Sequence, residues 1–227
     1  DKTKMLVMNS PNNPTGAVYT PEEIFQLLEI AKKHDLWLVS DEIYARLNWT
    51  GWDHISPASL EGGGERTIVI TGWSKSFAMT GWRIGIVSGP EKVMRAMGKL
   101  QANACSHIPS FLMDAALAAL TSEIDGAVEG FKREYLVRRK ILMDGIAAID
   151  GLSMPEPEGA FYGFVDITET GMDSTTFATK ALNDAKVQLI PGGLLDGGEG
   201  FIRISYACDE ETLREGLSRI SNWLDSI

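Results

Sequence analysis

The fold is decided by the stretch Met5-Leu-Val-Met-Asn-Ser-Pro-Asn-Asn-Pro-Thr-Gly16. Its opening residues form a short apolar run typical of a buried strand, and the rest are dense in turn formers. This pattern predicts a strand at residues 5–8 that ends in a polar loop. Because binding residues are often carried on loops that a rigid scaffold positions, the loop is a candidate site.

The residues after this loop predict a helix and then a second strand. Thr20-Pro-Glu-Glu23 combines an N-cap, a proline at the first helical position and a capping-box glutamate. Leu36-Trp-Leu-Val-Ser40 then has the composition of a buried strand, which delivers Asp41 and Glu42 to its carboxyl end. A strand, a helix and a strand in this order predict a parallel sheet, and so an α/β fold.

Two further strands are predicted at residues 67–71 and 84–88. The connection between them, residues 72–83, is too short for a crossover helix. We therefore expect the second of these strands to run antiparallel to the first.

The pattern then becomes helical and later mixed. Helices are predicted over residues 90–104 and from 109 to about 149, with weak points at Gly126, Gly130 and Gly145. Beyond them the strand-like segments are 160–167, 187–190 and 201–206, and the helices lie near 174–185 and 209–226. We predict two domains: residues 1–145, which end in a long linking helix, and a smaller α+β domain at residues 146–227.

The composition excludes several classes of protein. Hydrophobic residues at 44% and charged residues at 23% are ordinary for a soluble globular protein, and no apolar run is long enough to span a membrane. The net charge of −10 provides no basic stripe for a nucleic acid. Cys105 and Cys208 lie far apart in a Cys-poor chain, which predicts reduced, buried thiols and a cytoplasmic protein. His34, His54 and His107 lack metal-ligand spacing, so we propose no metal.

Lys75 lies in the connection that follows the third predicted strand. A single lysine is most often a solvated surface charge. The segment Gly72-Trp-Ser-Lys-Ser76 also imitates the end of a phosphate-binding Walker A loop, but it lacks the glycine that must directly precede the lysine. Lys75 alone therefore indicates no function, and other motifs along the chain must decide its role.

Four motifs indicate that role: Asn13-Pro-Thr-Gly16, Asp41-Glu-Ile-Tyr44, Ser74-Lys75 and Gly81-Trp-Arg83. In this order they resemble the class I and II aminotransferases of the aspartate aminotransferase family, and the resemblance spans nearly the whole chain. It implies the fold of pyridoxal-phosphate transferases. Residues 1–145 would be the C-terminal part of the cofactor-binding large domain, and residues 146–227 the small domain.

The resemblance implies a role for each matched residue. Lys75 would form a Schiff base with pyridoxal 5'-phosphate and then move protons as general acid and base. Asp41, which taken alone would be an N-cap or a surface carboxylate, would pair with the pyridine nitrogen. Tyr44 and Asn13 would hydrogen-bond the phenolic oxygen, although a core tyrosine and a turn asparagine are the plainer interpretations of each alone.

The phosphate and the substrate have candidates as well. Arg83 and Ser74 would bind the cofactor phosphate. Gly72 stands three residues before the lysine, where some family members carry a serine, which puts that phosphate contact in question. Arg203 would bind the substrate α-carboxylate, with Asn13 beside it, although a lone arginine on a strand is more often a surface charge.

The function implied is transamination between an amino acid and a 2-oxo acid. The same cofactor chemistry also serves other reactions, so a pyridoxal-phosphate-dependent C–S lyase is an alternative. Two more alternatives are an aminotransferase-like effector domain of a transcription regulator and an inactive fragment.

The family is commonly a homodimer, and its N-terminal half has no counterpart here, so we expect further residues to precede Asp1. Residues 105–111 contain no arginine, which disfavours aspartate or glutamate as the preferred donor.

Overall fold

In the computed structural model, which describes residues 2–195 and 197–227, the chain separates into two compact units. Unit 1 contains residues 2–11 and 18–130, and unit 2 contains residues 12–17 and 131–227. The predicted domain boundary at residues 145 and 146 concerns the domains of the full protein and stays a prediction. In this chain the change from unit 1 to unit 2 falls earlier, between Gly130 and Phe131, inside a long helix.

Unit 1 is built on a four-stranded sheet with the order β1-β2-β3-β4. The strands are β1 (Met5–Asn9), β2 (Trp37–Asp41), β3 (Thr67–Gly72) and β4 (Gly85–Ser88). The first three strands are parallel, and β4 runs antiparallel to β3. The predicted α/β class, the mostly parallel sheet and the reversal at β4 are confirmed.

Helix α1 (Pro21–Lys33) covers one face of this sheet. Thr20 and Glu23 form the predicted capping box, in which each side chain bonds the other residue's backbone N–H. Ile24, Leu28 and Ala31 recur at helical spacing, so they line one side of the helix and pack with Met8 and Leu38 of the strands. This packing holds α1 against the neighbouring parallel strands β1 and β2. The three elements form the βαβ unit that the sequence predicts.

The helical region after β4 divides differently from the prediction. Its helices are α2 (Glu91–Ala104), α3 (Ser110–Ala118) and α4 (Asp125–Ala147). The break falls at residues 119–124, where a short 3-10 turn intervenes, and Gly126, Gly130 and Gly145 all lie within α4. Glycine lowers helix stability by only about 1 kcal/mol, which the other residues of a long helix outweigh.

Unit 2 contains a three-stranded antiparallel sheet with the order β5-β7-β6. Its elements are β5 (Tyr162–Asp166), α5 (Ser174–Lys180), β6 (Ile190–Pro191), β7 (Phe201–Ser205) and α6 (Glu210–Leu224). The predicted α+β character is confirmed. The predicted strand at residues 187–190 is mostly wrong, because Val187 donates its N–H to the Ala181 carbonyl and pairing with β7 begins only at Ile190.

The two cysteines are free thiols, as predicted. The expected burial is wrong, since Cys105 is exposed at the end of α2 and Cys208 is half-buried. Within the described residues, no helix has the length and apolar character needed to cross a membrane.

Candidate cofactor site

In unit 1 the predicted site residues follow the carboxyl ends of neighbouring strands. Asp41 is the last residue of β2 and pairs in register with Ile70 of β3. Lys75 comes three residues after β3 ends. Because parallel strands end at the same edge of a sheet, this pairing brings the segments that carry Asp41 and Lys75 to one edge.

Tyr44 lies in the turn after β2 and is 4% exposed. The amine of Lys75 lies 6.0 Å from the centre of its ring. This contact brings together two of the three residues that the sequence predicts to be catalytic. This distance is at the outer limit of a cation–π contact.

The carboxylate of Asp41 is half-buried and held by its own backbone. Its Oδ1 accepts a hydrogen bond from the N–H of Ile43 at 3.2 Å. Burial raises the pKa of Asp41, the Ile43 N–H lowers it, and the negative charge of Glu42 raises it further. A positively charged donor beside this carboxylate would offset the cost of burial, so the site suits a protonated ring nitrogen.

The segment that carries Lys75 is anchored by Trp73. Its indole is 7% exposed and packs with Ile84, Ala116 and Ala119. Its Nε1 donates to the carbonyl of Ala116 at 3.1 Å. No sequence motif marks Trp73 as an anchor, because that role depends on its contacts with α3.

Gly72 is required by the close approach of β4. A Cβ atom at this position would lie 2.8 Å from the carbonyl oxygen of Ile84 and 3.0 Å from the Cα of Gly85. Both neighbours are backbone atoms that cannot easily move aside. The serine that some family members carry at the equivalent position therefore has no room here, which leaves Ser74 and Arg83 as the predicted phosphate contacts.

Ser74 is half-buried beside Lys75, and Arg83 is exposed. Arg83 has a left-handed backbone, with φ at 54°, and its Nη1 donates to the carbonyl of Thr80 at 3.0 Å. This contact keeps the guanidinium near its own loop. The other donors of the guanidinium fork remain suited to phosphate oxygens.

In unit 2 the structure pairs Asn13 with Arg203, which lie 190 residues apart. Nη1 of Arg203 donates to Oδ1 of Asn13 at 2.7 Å. The guanidinium also lies 4.6 Å from the ring centre of Tyr162, a residue that sequence analysis missed. Nε of Arg203 is buried without a hydrogen-bond partner among the described residues, which leaves the side chain one unsatisfied donor.

The loop that carries Asn13 is fixed within unit 2 by Gly16. The carbonyl of Gly16 accepts hydrogen bonds from the N–H groups of Glu158 and Gly159, each at 2.8 Å. Its φ is +71°, and a Cβ atom there would lie 2.9 Å from Pro157, so only glycine fits. The predicted role of Gly16 as a turn former has this physical basis.

A second cluster in unit 1 was also missed. Glu42 is buried and contacts Ser56 and His54. Burial alone would raise the pKa of Glu42, but the His54 imidazole and the Ser56 hydroxyl outweigh it and lower the pKa below its usual value. Among the described residues, no group of three or more histidines, cysteines, aspartates or glutamates is arranged to hold a metal ion.

The chain is similar to known proteins over nearly its whole length. The family model described as "Aminotransferase class I and II" matches residues 1–220. The chain is 41% identical over 225 residues to an aromatic-amino-acid aminotransferase of Thermococcus litoralis, covering 98% of this chain and 58% of that protein. It is 41% identical over 226 residues to an aspartate aminotransferase of Pyrococcus abyssi, covering 99% of this chain and 58% of that protein.

Solved structures give the same result. The crystal structure of an aromatic aminotransferase from Pyrococcus horikoshii matches with a TM-score of 0.95 at 38% identity, covering 99% of this chain and 60% of that one. The aspartate aminotransferase of Thermus thermophilus with maleate matches with a TM-score of 0.91 at 40% identity, covering 97% and 57%. The chain therefore spans little more than half the length of these relatives.

Gly72→Ala in the full-length protein should lower the free energy of unfolding by about 1–3 kcal/mol, because the added methyl group meets the backbone of β4. Gly216→Ala is the matched control, since it places the same methyl group in open space within α6 and should be neutral or stabilising. Denaturant unfolding of the two variants measures the difference. Equal stability of Gly72→Ala and the native protein would contradict the steric account.

Proposed function

The chain belongs to the class I and II aminotransferase family, and we propose that the full protein is a pyridoxal-phosphate-dependent transaminase that moves an amino group between an amino acid and a 2-oxo acid. The observation that carries this proposal is the placement of Lys75 over Tyr44, with Asp41 at the end of the adjoining strand. These residues match the predicted cofactor motifs in kind and in order. The named relatives, all aminotransferases, support this reaction over the lyase and regulator alternatives.

The cofactor would supply an aldehyde that binds an amine and a ring that accepts electrons from the substrate α-carbon. Lys75 Nζ would hold the cofactor covalently through its aldehyde. As an amine close to the reacting atoms, Nζ would also act as general base and acid for the proton of the substrate α-carbon. This double use requires a lysine held in place by its segment, which the packing of Trp73 supports.

Asp41, Tyr44 and Asn13 would bind the ring. The Asp41 carboxylate would accept a charge-assisted hydrogen bond from the ring nitrogen and so keep that nitrogen protonated. The Tyr44 hydroxyl would donate to the phenolic oxygen. Because Oδ1 of Asn13 accepts from Arg203, and an arginine can only donate, the protons that Asn13 offers to the phenolic oxygen are those of Nδ2.

Arg203 and Arg83 would bind the charged ends of the ligands. The buried Nε of Arg203 would donate to the α-carboxylate of the substrate, and the stack on Tyr162 would fix the plane of the guanidinium. Arg83 and Ser74 would bind the phosphate. Fixed hydrogen-bond donors that bind the charged group of a ligand also orient that ligand.

We also propose that the full protein is a cytoplasmic homodimer, as the family resemblance implies. Several large apolar side chains of α2 and α3 are exposed in this chain, including Leu100, Phe111 and Leu117. Because the chain spans little more than half the length of its relatives, either the rest of the full protein or a second copy would cover such a surface, so the proposal of a dimer rests on the family resemblance. Sedimentation of the full-length protein at the mass of one chain would contradict the dimer, and recovery in a membrane or secreted fraction of cells would contradict the location.

Lys75→Ala in the full-length protein should reduce 2-oxo acid formation from a panel of amino acids at least about 100-fold, because it removes the general acid and base. Lys33→Ala, on the exposed side of α1, is the matched control and should leave turnover unchanged. The assay should also measure conversion of an added 2-oxo acid into its amino acid. Production of 2-oxo acid without that conversion would identify a lyase, and full activity of Lys75→Ala would contradict the proposed role.

A further inference from the structure

Two acidic residues stand side by side at the end of β2, and the cofactor motif explains only Asp41. Glu42, the next residue, is 7% exposed. A buried carboxylate is costly unless it is paired and hydrogen-bonded. The partners of Glu42 therefore decide whether the end of β2 is stable.

Glu42 receives both partners from the loop that precedes the 3-10 turn Pro57–Ser59. The hydroxyl of Ser56 donates to Oε1 at 2.6 Å. Nε2 of His54 lies 3.2 Å from Oε2, and both side chains are almost fully buried. Among the described residues this nitrogen has no hydrogen-bond partner of good geometry, so its approach to Glu42 is a close polar contact and not a well-formed hydrogen bond. A nitrogen lone pair facing a carboxylate would be repelled, so the imidazole tautomer with its N–H at Nε2 suits this contact.

The backbone connects Glu42 to Asp41. The N–H that holds the Asp41 carboxylate belongs to Ile43, on the far side of Glu42. The N–H of Glu42 itself donates to the carbonyl of Ile70 on β3 at 2.8 Å. A displacement of Glu42 would therefore move the donor that orients Asp41 and loosen the neighbouring strand contact.

We propose that Glu42 is a positioning residue for Asp41, and that His54 and Ser56 hold Glu42 in place. This inference rests on the proposed function, because it requires Asp41 to bind the cofactor ring nitrogen. His54 and Ser56 both face the Glu42 carboxylate, which leaves the Asp41 carboxylate for the ring. Neither Glu42 nor His54 needs to touch the cofactor, and both act through the backbone at residues 41–43.

A double-mutant cycle on the full-length protein tests this coupling. Glu42→Gln and His54→Gln should each raise the Kd for pyridoxal phosphate roughly tenfold. Loss of a residue that supports a metal ligand weakens metal binding by a similar factor. In an Asp41→Asn background neither change should raise the Kd further, because the residue through which they act has lost its charge. Absorbance titration of the apoprotein with pyridoxal phosphate measures each Kd. His34→Gln, at the exposed end of α1, is the matched control and should have the native Kd.

An unchanged Kd, or an equal rise in both backgrounds, would overturn the inference, since a purely structural role does not depend on Asp41. Thermal melting of each apoprotein shows whether it folds. Should the charge variants not fold, Ser56→Ala removes one hydrogen bond and leaves both charges in place. It should raise the Kd about threefold in the native background alone, and an unchanged Kd would overturn the inference. A native protein that binds no pyridoxal phosphate refutes the proposed function and this inference together, whereas native binding with unaffected variants refutes only the inference.

Discussion

Hydrogen bonding between the parallel strands β2 and β3 determines where the residues of unit 1 can act. The register places Asp41 opposite Ile70, and the bond from the Glu42 N–H to the Ile70 carbonyl extends the pairing by one residue. Both strands then end at the same edge, so the turn with Tyr44 and the segment with Lys75 begin side by side. A shift of one residue would turn Asp41 to the opposite face of the sheet, because side chains alternate along a strand.

Side-chain packing and close backbone approach determine the surroundings of the carboxyl ends of β2 and β3. Trp73 fixes the lysine segment to α3 through burial and one hydrogen bond, and Gly72 lets β4 approach β3 without a side chain between them. Directly after β2, the buried Glu42 is contacted by His54 and Ser56. The edge thus combines an apolar anchor with a small polar cluster, and each restricts the motion of a residue that the proposed chemistry requires.

Local patterns in the sequence were sufficient for much of the fold. The Thr20 capping box and the apolar spacing that follows it predict α1, and the short connection at residues 72–83 predicts that β4 reverses. The helix break at residues 119–124 was missed, because the glycines that seemed weakest lie within α4, where helical neighbours support them. The contacts of His54 with Glu42 and of Tyr162 with Arg203 were also missed. Each of these two contacts joins segments that only the tertiary fold brings together. The spacing of residues along the sequence does not reveal such contacts.

Every role proposed for the site depends on Lys75 as the residue that holds the cofactor. The most direct measurement is to mix the full-length protein with pyridoxal phosphate, reduce it with borohydride, digest it and locate the modified lysine by mass spectrometry. We expect a pyridoxyl group on the peptide that contains Lys75, in preference to any other peptide. Modification of a different lysine, or no stable adduct at all, would contradict it.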